Sequence, residues 1–208
     1  MTSGPSNAAG EDRPLAWPGD PEQVSAADID FEALAHVLAN TCRRGGRMRQ
    51  YHSLAAHAVA VSEEIQALHG LSTEDQRTLG LHALIAGAAS AWLRGVSGGA
   101  ARGPDRAGKL AAGVERALRE AAGLDPVLGE EQAELLRFVD RMVASAECRD
   151  LLDGEDTASG ALAFPPCRRR IRPLAPDRAA RMWLSRLQVL RETAGSGRTP
   201  VGTDAARG

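Results

Sequence analysis

Aromatic residues are scarce in this chain. Three tryptophans, three phenylalanines and one tyrosine make up only 3% of its 208 residues. Lysine is scarcer still, since Lys109 stands alone against 24 arginines. A core with so few rings has to be built from alanine, leucine and valine, which favours closely packed helices. The sequence also lacks any run near the roughly 20 apolar residues that a membrane span needs, so we expect no membrane contact.

Positive and negative charges are nearly balanced, because 25 basic and 27 acidic residues give a formal net charge of −2. This balance disfavours non-specific binding to nucleic acid, which requires a large positive charge. The first residues lack the pattern of a secretory signal peptide, in which basic residues are followed by an apolar run. The three cysteines, Cys42, Cys148 and Cys167, form no CxxC pair and no even disulfide framework. We therefore expect reduced thiols and a cytoplasmic protein.

Apolar residues recur at helical spacing through most of the chain, and no segment alternates as a strand does. This pattern predicts an all-α bundle of about six helices. Asp28 or Asp30 can cap the first helix, and Ser72 with Asp75 can cap the third, which is apolar nearly all round. The predicted helices cover approximately 31–42, 53–69, 74–93, 109–122, 130–152 and 177–192.

The predicted helices form one domain, 28–192, between two tails that we expect to be disordered, 1–27 and 193–208. Both tails are poor in apolar residues and rich in glycine, proline and polar residues. A glycine-rich loop is expected at 95–108. The fifth helix is expected to point one apolar stripe inward, formed by Leu135, Phe138, Val139, Met142 and Val143.

Common catalytic motifs are missing from the sequence: it has no P-loop, no GxSxG, no HExxH and no Rossmann glycine pattern. Histidine is the remaining residue type with ready chemistry. Three of the five histidines lie on apolar faces of predicted helices, where a histidine usually packs rather than binds a ligand. The five are His36, His52, His57, His69 and His82.

Five blocks of sequence nevertheless resemble the HD-domain metal-dependent phosphohydrolases, and in particular their 5′-deoxynucleotidase-like branch. The blocks occur in the order typical of that branch and span about four-fifths of the chain. They are DIDFEALAHVLANTCRRGG (28–46), YHSLAAHAVAVS (51–62), LHALIAGAASAWLRG (81–95), VDRMVASAECRDLL (139–152) and RRIRPLAPDRAARMWLSRLQVL (169–190).

In that family a histidine, a His-Asp pair and a late aspartate bind a divalent metal, which activates water for attack on a phosphate ester. The resemblance places the first ligand at His57 and the last at Asp140. The central His-Asp pair falls on Ala86 and Gly87, which carry no ligand atoms. The neighbouring packing residues, such as Trp92, still fit the pattern. The resemblance therefore implies a helix that is kept and a metal motif that is lost.

At other positions this sequence has the family's residue in some cases and a different residue in others. Arg43 matches an arginine that lies near the substrate phosphate in the family. Ser90 replaces an acidic residue that assists the reaction, and Gly95 replaces the aspartate of a turn. The block around the last ligand also keeps its charged residues, which are Glu147, Arg149 and Asp150.

The degenerate motif leaves three functions open. In the first, the protein binds a nucleotide, another phosphorylated small molecule or a partner protein without hydrolysis. Arg43 would hold the anion and His57 would donate a hydrogen bond.

In the second, the protein is an active 5′-nucleotidase-like phosphohydrolase with a rearranged site for Mn²⁺, Co²⁺ or Mg²⁺, in which His82 joins His57 and Asp140. In the third, it is a structural or regulatory subunit that pairs with itself or with another protein. We expect no resident cofactor unless the second holds.

Overall fold

The computed structural model describes residues 24–96, 104–124, 128–152 and 164–193, and all the regular structure in these ranges is helical. The predicted all-α fold is confirmed. Two short 3₁₀ helices, Ala26–Asp28 and Arg43–Gly46, accompany the α-helices. The α-helices are α1 (Phe31–Asn40), α2 (Leu54–Gln66), α3 (Thr73–Ile85), α4 (Ala88–Val96), α5 (Pro104–Ala122), α6 (Glu130–Leu151) and α7 (Pro176–Glu192). None of these helices is both long and apolar enough to cross a membrane.

Side-chain caps begin three of the helices where the sequence places a suitable residue. Asp30 rather than Asp28 caps α1, because its carboxylate accepts hydrogen bonds from two backbone amides of the first turn. Ser72 caps α3 through the amide of Asp75 at 3.0 Å, as predicted. Ser53 caps α2, and Pro176 occupies the first turn of α7, where a missing amide proton has no consequence.

The predicted third helix is in fact two helices. α3 ends at Ile85, and α4 begins at Ala88 after a turn formed by Ala86 and Gly87. Gly87 adopts φ +74°, a left-handed conformation that ends a helix and that glycine adopts readily. The prediction of one continuous helix over 74–93 was wrong, and the break has consequences for the candidate site.

Several boundaries also differ from the predictions. Part of the expected loop at 95–108 is helical, because α4 extends to Val96 and α5 begins at Pro104. The remaining positions of that loop, including Gly98, Gly99 and Gly103, lie outside the described residues. α2 ends at Gln66, three residues earlier than predicted. The end of the expected N-terminal tail belongs to the domain, since Val24 is buried. Residues 1–23 and 194–208 lie outside the described ranges.

Helix α2 lies between two hydrophobic clusters. Its first half, including Ala55 and Val59, packs into a cluster formed with α1, α3, α4, α5 and α7. Its second half, including Val61 and Ile65, packs into a cluster formed with α3 and α6. Trp183 of α7 is fully buried in the first cluster, and its indole N–H donates to the Leu84 carbonyl at the end of α3. His57, in the first half of this helix, is itself buried.

One residue of the stripe predicted for α6 does not point inward. Val139 and Val143 are buried, and Leu135 and Met142 are partly buried against the same cluster. Phe138, however, is 44% exposed and packs edge-on against Phe164 at 6.2 Å between ring centroids. The prediction failed here because a helix of this length exposes apolar residues at the edge of its buried stripe.

Candidate functional site

A fully buried carboxylate, that of Glu147 on α6, is the centre of the candidate site. Its Oε2 atom accepts from Arg43 Nη2 at 3.1 Å, and its Oε1 atom lies 3.0 Å from His52 Nε2 and 2.6 Å from His57 Nδ1. Burial by itself raises the pKa of Glu147, but the charge and hydrogen bond of His57, with the contacts from His52 and Arg43, hold it well below its usual range. Glu147 is therefore a buried anion surrounded by donors.

Both ring nitrogens of His57 face carboxylates. Nδ1 contacts Glu147, and Nε2 lies 2.9 Å from Asp140 Oδ1. Burial lowers the pKa of His57, but the charge of Glu147 and the hydrogen bonds to both carboxylates outweigh it, so that the pKa is raised. Burial likewise raises the pKa of Asp140, and its bond to His57 reverses the shift. This geometry fits an imidazolium that donates from both nitrogens.

Local structure brings these side chains together. After α1 the chain makes a tight turn, in which Arg44 and Gly45 both adopt a positive φ. It then pairs with the start of α2 through a bridge between Cys42 and Ser53 and a hydrogen bond from Arg43 N to His52 O at 2.9 Å. Asp140 and Glu147 are seven residues apart on α6, which is about two turns, so both reach the same face.

A cavity of about 310 Å³ lies beside this network. Its walls combine apolar surface from Leu54, Val61, Ala83 and Leu136 with the exposed backbone turn at Ala86 and Gly87. Such a volume is at the lower end of the range for small-molecule sites, which are mostly apolar with a few polar groups. The charged side chains that line it are Arg43, His57, Arg137, Asp140 and Arg141.

The side chains of this cavity do not fit a resident divalent ion. His57 and Asp140 contact each other, whereas Ala86 and Gly87 line the same cavity and offer no ligand atoms. In the described ranges, no group of three or more His, Cys, Asp or Glu side chains is arranged to hold a metal ion. Mg²⁺ or Mn²⁺ requires about six ligands, and two protein ligands would leave most of that shell to water.

Some residues singled out in the sequence lie elsewhere. His82 is on α3, outside the cavity lining, and burial together with the charge of Arg119 lowers its pKa to about 4. The structure does not bring it to His57 and Asp140. Ser90 is exposed on α4 and outside the lining, and Gly95 is a helical residue of α4 rather than part of a turn.

The charged residues Glu147, Arg149 and Asp150 have two different roles. Glu147 belongs to the site, whereas Asp150 binds Arg149 at 2.7 Å, Arg170 at 2.7 Å and the amide of Ile171 at 2.8 Å. These bonds lower the pKa of Asp150, with the hydrogen bond from Arg149 as the largest cause. Asp150 therefore fastens the segment before α7 onto α6.

Three residues of the site were missed by sequence reasoning. His52 precedes α2, and nothing in its neighbourhood indicates that it contacts a residue 95 positions away. Arg137 and Arg141 could have been found, because they lie on either side of Asp140 and four residues apart on one helix. That spacing puts them on one face, next to the predicted last ligand.

No family model matches this sequence, and no curated protein matches it at a significant level. The functional assignment therefore depends on the geometry and chemistry of the cavity. The resemblance to HD-domain phosphohydrolases stays a hypothesis, based on the five sequence blocks and on the positions of their residues.

Proposed function

We propose that this protein is a cytoplasmic, HD-domain-like protein that binds a small phosphorylated molecule, such as a nucleotide, without hydrolysing it. The observation that carries the proposal is the composition of the cavity. Two positions that would supply metal ligands are Ala86 and Gly87, and the two remaining ligands, His57 and Asp140, contact each other. The cavity keeps its volume and its positive side chains.

The arrangement disfavours hydrolysis for a chemical reason. Attack on a phosphate ester requires an activated water and a cation that stabilises the developing charge. His57 cannot take a proton from water while both of its nitrogens donate to carboxylates. The Asp140 oxygen that faces His57, Oδ1, is occupied by the same hydrogen bond. The site thus offers no free imidazole base, and its side chains supply too few ligands to hold the metal that the reaction requires.

The resemblance to the HD-domain family gains support from spatial agreement. His57 and Asp140 come from different blocks, 83 residues apart, and their side chains touch. Ala86 and Gly87 come from a third block and line the same cavity, as does Arg43 from a fourth. Unrelated blocks would have no reason to converge, so we infer that the chain keeps the fold of this family with a degenerate metal motif.

Ligand-induced stabilisation of the full chain tests the binding function. We expect nucleoside 5′-monophosphates or inorganic phosphate to raise the melting temperature of the wild type, because a ligand that binds only the folded state stabilises it. Ala86→Phe should abolish the shift, since Ala86 is exposed and its enlarged side chain would fill the cavity. Ala67→Phe is the matched control, because Ala67 is an exposed residue at the end of α2 and outside the cavity lining.

A turnover screen with Mn²⁺ or Co²⁺ and the same phosphates decides between the functions. We expect no release of phosphate. Turnover that His57→Ala abolishes would contradict the proposal and support an active phosphohydrolase. The absence of both turnover and stabilisation would also contradict it, and would favour a structural or regulatory subunit.

A further inference from the structure

We infer that Arg137 and Arg141 of α6 bind the negative group of the ligand, and that this group carries two negative charges. The inference rests on the proposed function, since it assigns the charged part of the ligand to one edge of the same cavity. It differs from the expectation drawn from the resemblance, which gives this role to Arg43. The reasons are the occupied donors of the buried network, the partners of each arginine and the packing of Arg141.

The donors of the buried network already have partners. Arg43 donates to Glu147, and the two ring nitrogens of His57 contact Glu147 and Asp140. Each of these four side chains contacts another member of the network. An anion that entered the network would compete with the buried carboxylate of Glu147 for the same donors.

Arg137 and Arg141 add two positive charges to the cavity lining. Neither forms an ion pair or a hydrogen bond with another described residue. Both are exposed, and they stand one helical turn apart, at roughly 6 Å between Cβ atoms. A single group with two negative charges can therefore accept hydrogen bonds from both guanidinium groups at once.

Arg141 is held in place by aromatic packing. Its guanidinium lies over the ring of Phe164 at 4.8 Å from the centroid. Phe164 is fixed in turn, because Ser145 Oγ of α6 donates to its carbonyl at 2.8 Å and Phe138 packs against its ring. A guanidinium stacked by its face keeps its N–H edge available, so the site has a donor whose orientation is already restricted.

The apolar wall of the cavity limits the chemistry of the part of the ligand that carries the charged group. Leu54, Val61 and Leu136 line the cavity next to the charged residues. A compact apolar body attached to a doubly charged group suits this combination. A phosphate monoester and a dicarboxylate share that chemistry, and the phosphate is doubly charged above its second pKa of about 6.

Calorimetric titration of the full chain at pH 8 tests the inference with three small probes. Phenyl phosphate carries two charges, phenyl sulfate has nearly the same shape with one charge, and benzylmalonate is a dicarboxylate. We expect phenyl phosphate to bind about tenfold more tightly than phenyl sulfate. Arg137→Gln and Arg141→Gln should each weaken phenyl phosphate binding about tenfold and remove the preference for two charges. Benzylmalonate, which also carries two charges at this pH, should bind more tightly than phenyl sulfate, and weaker binding than phenyl sulfate would restrict the site to phosphates.

Arg178→Gln is the control, because Arg178 is an exposed arginine of α7 outside this cavity lining and should leave the affinity unchanged. If Ala86→Phe abolishes phenyl phosphate binding while Arg137→Gln and Arg141→Gln do not weaken it, the inference is overturned and the proposed function stands. Equal affinities for phenyl phosphate and phenyl sulfate would also overturn it. If the wild type binds none of the probes and no nucleotide, the proposed function fails and this inference fails with it.

Discussion

At the scale of single residues, the buried carboxylate of Glu147 controls the candidate site. It holds the two positively charged side chains Arg43 and His57, and it contacts His52 as well. A buried ion network of this kind is no guarantee of high stability, because burying the charges offsets much of their attraction. Removing one member is different, since the others then remain buried without their counter-charge.

Glu147→Gln keeps the shape of the side chain and removes its charge. We expect it to lower the free energy of unfolding by about 3–5 kcal/mol, because the charges of Arg43 and His57 lose their buried partner. Urea denaturation followed by circular dichroism measures the change. Glu64→Gln is the control, since Glu64 pairs with the half-exposed Arg169 and should lose no more than about 1 kcal/mol. A loss from Glu147→Gln as small as that of the control would contradict the buried network.

The pH dependence of stability follows from the directions of the pKa shifts. The pKa of His57 is raised in the folded protein, so its contribution is complete below the unfolded value of about 6.5 and is lost as the pH rises through the folded pKa. The pKa values of Glu147 and Asp140 are lowered, so their contributions are complete above their unfolded values and are lost as the pH falls through the folded pKa values.

Comparison of the wild type with His57→Gln isolates the histidine. We expect the difference in unfolding free energy between the two proteins to be constant below about pH 6 and to shrink as the pH rises further. Urea titrations between pH 5 and pH 9 measure it. His69→Gln is the control for the loss of a histidine outside the network, because His69 is exposed at the end of the α2 region. A difference that grows with pH would show that His57 is held neutral.

Among the residues of the cavity, the resemblance pointed to Arg43, His57 and Asp140, and these three line the same cavity. His52 and the central role of Glu147 were not foreseen, because the contacts of Glu147 with Arg43 and His52 join residues about 100 positions apart. A linear pattern of charges does not determine such pairs.

At the scale of elements, the break between α3 and α4 shapes the site. The apolar pattern from Leu79 to Leu93 continues through Gly87 without interruption, and one glycine inside a helical pattern is a weak stop signal. The prediction therefore could not find the break. Because the chain turns at Ala86 and Gly87, both positions are exposed at the cavity rather than packed inside a helix.

The double substitution Ala86→His with Gly87→Asp tests the proposal that this turn corresponds to the metal motif of the HD-domain family. We expect the double variant to bind Mn²⁺ or Co²⁺ saturably with His57 and Asp140 as further ligands, and more tightly at higher pH, because His57 has to lose a proton first. Aspartate tolerates the left-handed conformation of Gly87 better than most residues. Calorimetric titration with the metal alone measures the affinity.

Gly87→Ala is the control, because it introduces at least as much backbone strain, about 1 kcal/mol or more, without a ligand atom. The wild type and this control should bind no metal at this site. A double variant that folds, as judged by its circular dichroism, and yet binds no more metal than the wild type would show that the correspondence is wrong.

At the scale of the whole molecule, the fold could be predicted because helices have a local signature. Their apolar period and their caps lie within a few residues of each other, so the all-α class and most helix positions follow from the sequence. The cavity depends instead on how α2, α6 and the turn at Ala86 meet, which no local pattern encodes. α2 carries His57, and α6 carries Asp140 and Glu147, whose side chains contact it.

One titration tests the central claim most directly, namely that the cavity binds a phosphorylated ligand without metal and without turnover. Nucleoside 5′-monophosphates are titrated into the full chain in a calorimeter, once with EDTA and once with Mn²⁺. We predict saturable binding of at least one of them, with the same dissociation constant in both conditions and with no heat after saturation. Binding that requires Mn²⁺, or a continuing heat accompanied by release of phosphate, would contradict the account.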